Sequence, residues 1–200
     1  MDEVPIPFEF LDGYTYHIYG EKTITGKTDR SRWGKWQATL ILYIFADGIP
    51  RISPKLIFHS KPDGLIRSKE SHLYHPGVTV EFNDTVYNNG DLFNKWIDEE
   101  LAISLTGDGL LIMDYAAFYK TELALLKLRG HCILPALIPG GCTSLLQPLD
   151  VSINKPFKEW LREVLNEVLD QCETQGIDTK TASSRRVITT KIVAAAWERL

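Results

Sequence analysis

Residues 110–138 read LLIMDYAAFYKTELALLKLRGHCILPALI. Four apolar residues, Leu110 to Met113, end on Asp114; a helical pattern runs from Glu122 to Leu128; a second apolar run spans Ile133 to Ile138. Strand, helix and strand in that order make a β-α-β unit, which lays its two strands parallel and side by side. Asp114 then stands at the carboxyl end of a parallel strand, the edge on which open α/β sheets carry their sites. It reads equally as a cap for the segment that follows.

Upstream of this unit the period is that of strands. Tyr14 to Thr28 alternates and turns often, as short antiparallel strands do. The run from Ala38 to Ala46 is too continuously apolar for a strand with one wet face, so it is expected as a central strand closed by the Asp47-Gly48 turn. Further strands are expected at Lys55 to His59 and Val78 to Phe82. Leu92, Phe93, Trp96, Ile97 and Leu101 then fall at helical spacing behind the capping candidates Asn88, Asn89 and Asp91.

Downstream, Phe157, Trp160, Leu161, Val164, Leu165, Val168 and Leu169 line one face of a helix whose opposite face is charged. A break at Gln175-Gly176-Ile177 precedes a last helix from about Ser184 to Leu200. Strands first, then alternating helix and strand, then helices predict an α/β domain with a mixed sheet flanked by helices.

The 200 residues suffice for one domain with a real core, and 44% hydrophobic with 24% charged residues is ordinary soluble usage. No apolar run reaches the length of a membrane span, and MDEVPIPFEF has neither the basic region nor the apolar stretch of a signal peptide, which implies an intracellular protein. Cys132, Cys142 and Cys172 form no CxxC pair and leave one unpaired, so reduced thiols are expected, with Cys132 in a strand core. His72 and His75 lack a helix and a neighbouring acid to complete a zinc site, and Cys142 has no nearby His to act as its base. The net charge of −4 requires any nucleic-acid-binding face to be local. The segment with Lys22, Lys27, Arg30, Arg32 and Lys35, interleaved with Trp33 and Trp36, is the candidate for contacting a DNA backbone; Glu21 and Asp29 dilute it, and a solvated hairpin loop fits it as well.

The stretch GGCTSLLQPLD, residues 140–150, places Asp150 where a patterned helix begins. An acid there complements the helix dipole, and Pro148 suits a first turn. Asp114 and Asp150 together make a second reading available, since hard divalent cations take a few carboxylates with water and phosphate. Asp2, Glu3, Asp12 and Asp47 are candidates for a third acid.

MDEVPIPFEF, QATLILYIFADG, LLIMD and above all GGCTSLLQPLDVSINKPFK closely resemble the DDE superfamily endonuclease domain of pogo, Tigger and jerky-type transposases and their centromere-protein-B-like relatives. The resemblance covers nearly the whole chain. It implies an RNase H-like fold with a five-stranded mixed sheet, and three acids binding Mg²⁺ or Mn²⁺ for cleavage and transfer of DNA strands in the nucleus. Carried over by motif, the acids are Asp2, Asp114 and Asp150. Where the family commonly follows its second acid with Asn and, a few residues on, His, this chain has Tyr115 and Tyr119. The resemblance also implies a core over residues 1–175, N-terminally shortened, with a helical extension over 176–200. Helix-turn-helix DNA-binding modules would lie outside this chain, and a homo-oligomer is left open. A catalytically inactive descendant that binds DNA or protein is the alternative.

Overall fold

The structure, a computed structural model, describes residues 1–7, 37–179 and 181–200. The hairpin strands expected between Tyr14 and Thr28 and the basic segment with Lys22, Lys27, Arg30, Arg32 and Lys35 lie outside these residues, as does Asp12. The described elements form an α/β fold in which helices cover both faces of a mixed sheet, as the sequence predicts.

Strands β1 (Asp2–Pro7), β2 (Gln37–Leu42), β3 (Lys55–His59) and β4 (Thr79–Asn83) pair in that order. The first two pairings are antiparallel, with Asp2 opposite Leu42 and Leu40 opposite Leu56. The third is parallel, with Phe58 opposite Phe82. Parallel neighbours need a crossover, and it is made by α1 (Leu65–Glu70) and the turn of 3₁₀-helix after it.

The apolar run at residues 38–43 is continuous because both faces of β2 are covered. Side chains alternate across a strand. Ala38, Leu40 and Leu42 accordingly join a core with Val4, Ile6, Leu56, Phe58 and Phe82 against α6 (Asn154–Thr174) and α7 (Ala182–Trp197). Ile41 and Tyr43 point the other way and pack with Ile57 against Phe93, Trp96 and Ile97. The regular strand ends at Leu42, short of the predicted Ala46. The chain then turns at Gly48, whose amide bonds Phe45 O and whose φ of 73° suits glycine.

On the first face, Phe157 and Leu161 of α6 are fully buried, each contributing about 1.5–3 kcal/mol by leaving water. The last helix reaches the same core through Ile188, Ile192 and Val193. It is also latched from its side by Arg186, which donates through Nε and Nη2 to the two oxygens of Glu70 at 2.8 and 2.6 Å, both residues buried.

On the second face lie α2 (Gly90–Trp96), capped by Asn89 Oδ1 accepting from Leu92 N, then a π-turn (Ile97–Leu101) and α3 (Ala102–Ser104). The π-turn carries Glu100 to the buried Lys55 ammonium, 2.5 Å away. The same core receives the predicted β-α-β unit: β5 (Gly109–Met113), α4 (Glu122–Gly130) and β6 (Ile133–Leu137), with the two strands parallel.

The sheet differs in one respect from the five strands implied by resemblance. The described strands form a four-stranded sheet and a separate pair, β5 and β6. Gly109 N bonds Cys132 O and Ile138 N bonds Met113 O, so Gly109 and Met113 turn their backbone groups to the β6 side. On its other side β5 meets Met1, whose amine donates to Ile112 O at 3.1 Å, and one bond is too few for a ladder. Cys132, expected in a strand core, is instead exposed and takes a left-handed φ of 59° in the turn before β6. No described helix is long and apolar enough to cross a membrane.

Candidate active site

The motif stretch after β6 is built to fix one position. A single helical turn, α5 (Thr143–Leu146), leads to Gln147, which is 2% exposed and donates through Nε2 to Met1 O at 3.3 Å. Pro148 follows with helical dihedrals, and Leu149, 1% exposed, plugs the core shared with α6. Leu149–Ile153 is a second π-turn, in which Asn154 N bonds Leu149 O. Such single-turn bulges re-aim side chains and recur at functional sites. Here it sets Asp150 and Asn154 four residues apart on the side facing the start of β1.

There the site is joined by one amide. Asn154 Nδ2 donates to Asp2 Oδ2 at 2.6 Å and to Asp150 Oδ1 at 2.9 Å, so an acid from β1 and one from the π-turn, 148 positions apart in sequence, meet on the same nitrogen. Asp2 shares its strand face with Val4 and Ile6, the face turned to α6. Asp114 stands one residue past the end of β5, between that strand and the 3₁₀ turn Ala117–Lys120. Burial raises its pKa above the ordinary 3.8, and the negative charges of Asp2 and Asp150 raise it further. Burial is the largest cause of the shift, and the two carboxylates add to it. Asp2 and Asp150 thus meet at the Asn154 amide, with Asp114 within electrostatic reach of both. Among the described residues, however, no three His, Cys, Asp or Glu side chains close on a common point as a metal cage would.

Glu3 points to the opposite face. Tyr119 Oη donates to Glu3 Oε1 at 2.6 Å and Asn88 Nδ2 donates to it at 3.0 Å. Burial raises the Glu3 pKa despite these two bonds, and Tyr119, itself 1% exposed, is pushed well above the usual phenol range by its own burial. Tyr119, standing in the region where the family has His, thus serves as a buried partner of Glu3. Tyr115 is exposed, with Lys120 Nζ 3.5 Å from its ring centre. Asp47 pairs with Arg51 at its own surface turn, which holds its pKa down to about 2.

Sequence reasoning did not single out Asn154, Gln147 or the role of Tyr119, and it offered Asn88 as a helix cap, where Asn89 caps the helix and Asn88 donates to Glu3. Asn154 did leave a signal: it occupies the position three before Phe157 and seven before Leu161, a polar residue on an apolar helix face.

The fold is mixed α/β and RNase H-like, with Asp114 at the carboxyl end of a parallel strand. Residues 35–200 match the family model described as DDE superfamily endonuclease, and the chain belongs to that family. Asp114 and Asp150 lie within the matched residues, and Asp2 precedes them. Among curated proteins, it is 27% identical over 132 residues to the human "Pogo transposable element with ZNF domain", covering 64% of this chain and 9% of that protein. It is 29% identical over 168 residues to the mouse "Pogo transposable element with KRAB domain", and 28% to the human protein of that name, covering 80% of this chain and 26% of each. The chain thus spans about a quarter or less of the length of these relatives. No solved structure matches it.

Proposed function

We propose that this chain is the catalytic core of a pogo-type transposase, a nuclear protein that cleaves DNA phosphodiester bonds and transfers the strands, with Asp2, Asp114 and Asp150 as its acids. The observation that carries the proposal is the meeting of Asp2 and Asp150 on the Asn154 amide beside an Asp114 whose proton affinity both of them raise.

The donor set suits a hard divalent cation. Three carboxylates with water and phosphate are the ligands Mg²⁺ takes, and a cation would relieve the mutual repulsion that Asp114 registers. Asp2, Asp114 and Asp150 would hold Mg²⁺ or Mn²⁺, which when bound supplies activation of water and stabilisation of the leaving oxygen. The residues of the chain contribute placement. Leu149 and Gln147 fix the turn that carries Asp150, β5 ends where Asp114 must stand, and Asn154 keeps Asp2 and Asp150 together. DNA would lie across this edge, and the segment with Lys27, Arg30, Arg32 and Lys35 remains the proposed contact for its backbone.

A second reading, a non-catalytic descendant kept as a DNA- or protein-binding module, is favoured by Tyr119 being locked on Glu3 and by the carboxylates not closing on one point. Mn²⁺ calorimetry on the wild type and on the Asp114→Asn, Asp150→Asn double variant separates the two. Binding by the wild type and its loss in the variant support the endonuclease; equal binding, or none in either, supports the module.

A further inference from the structure

Asn154 is 8% exposed, and its two ends are treated differently. Nδ2 gives its hydrogens to Asp2 and Asp150, while Oδ1, buried in the same place, has no hydrogen-bond partner. Leaving a buried acceptor unsatisfied costs about 1–3 kcal/mol, and such an orphan in a native structure calls for an explanation. Neither Gln147 nor the neighbouring turn supplies a donor to it.

The explanation lies in what the amide faces. Two carboxylates without a cation repel, and a neutral NH₂ group is suited to hold both because it carries two donors and no acceptor on that side. Once a divalent cation stands between the acids, the same N–H groups would point at positive charge. A half-turn about the last side-chain bond exchanges Nδ2 for Oδ1. That torsion is broad and two-fold, so the exchange needs no backbone movement. The amide carbonyl is itself a ligand that hard cations accept.

We propose that Asn154 is a fourth oxygen ligand of the acidic site, giving its amide hydrogens to Asp2 and Asp150 when no cation is bound and turning to present Oδ1 when Mg²⁺ or Mn²⁺ is. This rests on the acid-site reading above. Asn154 sits on the same turn of helix as Asp150, so one local element delivers two of the four ligands and couples them rigidly.

The test is Mn²⁺ titration calorimetry on the whole chain, with circular dichroism as a check of folding, for the wild type, Asn154→Leu, Asn154→Asp and Asp114→Asn. Asn154→Leu keeps the branched outline and removes the oxygen, and should bind Mn²⁺ at least about tenfold more weakly, the scale of losing one member of a metal's coordination environment. Asn154→Asp offers oxygen without turning, and should bind at least as tightly as wild type while its cation-free form melts at a lower temperature. Unchanged or tighter binding by Asn154→Leu, with binding lost in Asp114→Asn, overturns the assignment and leaves the acid site standing. Should Asn154→Leu not fold, weaker binding by Asn154→Asp overturns it equally. A wild-type chain that takes up no Mn²⁺ removes the acid-site reading itself.

Discussion

Replacing Asp150 by Asn sets two electrostatic effects against each other, and their sizes can be compared from the structure. Asp150 stands in the first turn of a long helix, where a negative charge stabilises by about 0.3–1 kcal/mol. It also stands close to Asp2: the bonds of 2.6 and 2.9 Å to one nitrogen put the two carboxylate oxygens no more than 2.6 + 2.9 = 5.5 Å apart. Two unit charges at that distance repel by about 0.75 kcal/mol in bulk water and by about 3 kcal/mol at an effective dielectric of about 20. Asp150 is exposed and Asp2 half-buried, so the pair lies toward the lower figure, and Asp114 adds to it. With Asp114's repulsion added, the total exceeds the dipole term by up to about 1 kcal/mol. An Asn at position 150 still offers Oδ1 to Asn154, so no hydrogen bond is forfeited. Asp150→Asn should therefore raise the thermal midpoint by up to about 2–4 °C at pH 7, low salt and excess chelator, the shift that about 1 kcal/mol gives a chain of this size. The gain should shrink in about 1 M salt, where screening acts within about 3 Å. Differential scanning calorimetry at low and high salt decides. A fall in midpoint at pH 7 would mean that Asp150 is a helix-end charge and not a member of a crowded acid site.

Asp114→Asn tests the same crowding by linkage: the folded state holds the Asp114 proton more tightly than the unfolded state, so stability falls as pH rises from 3.8 through the raised folded value. The variant should flatten that fall in urea melts across pH 3–7, and an unaltered slope would count against the site. Tyr119→Phe leaves half-buried Glu3 with Asn88 alone and should cost about 1–3 kcal/mol in urea unfolding at neutral pH; a neutral effect would mean that water replaces the phenol. Arg186→Leu strands the buried Glu70 carboxylate and should cost about 3–5 kcal/mol by the same measurement, with Glu70→Gln, Arg186→Leu together losing less.

Most of the scaffold was legible because its segments keep one period. Lys55–His59 was bounded correctly, the strands and helix at residues 109–137 were found within two residues or so, and Ile188 to Val193 lay inside the predicted last helix. The miss at residues 43–46 follows from Tyr43 and Phe45 being apolar for reasons other than pairing. Tyr43 stacks on Trp96 with ring centres 4.6 Å apart, and Phe45 lies under Arg51. Apolar character reports burial and is silent about which backbone partner is present. The short helix Leu65–Glu70 was not foreseen, since six residues hold too few turns to show a period.

For the acids, periodicity supplied Asp114 at a strand end and motif resemblance supplied Asp2 and Asp150. What the sequence could not supply was the connection between them. Asn154, Gln147 and the Tyr119–Glu3 bond are contacts between residues more than 100 positions apart, or depend on a π-turn that no hydrophobic pattern announces.

The π-turn at Leu149–Ile153 holds one residue more than an ordinary helical turn of that span would. Deleting a single codon there would let the helix close in the regular way and swing Asp150 about 100° around the axis, while Phe157, Leu161 and everything after them kept their seats in the core. The acidic edge can thus be dismantled by the smallest in-frame lesion a genome produces, without unfolding the domain that carried it.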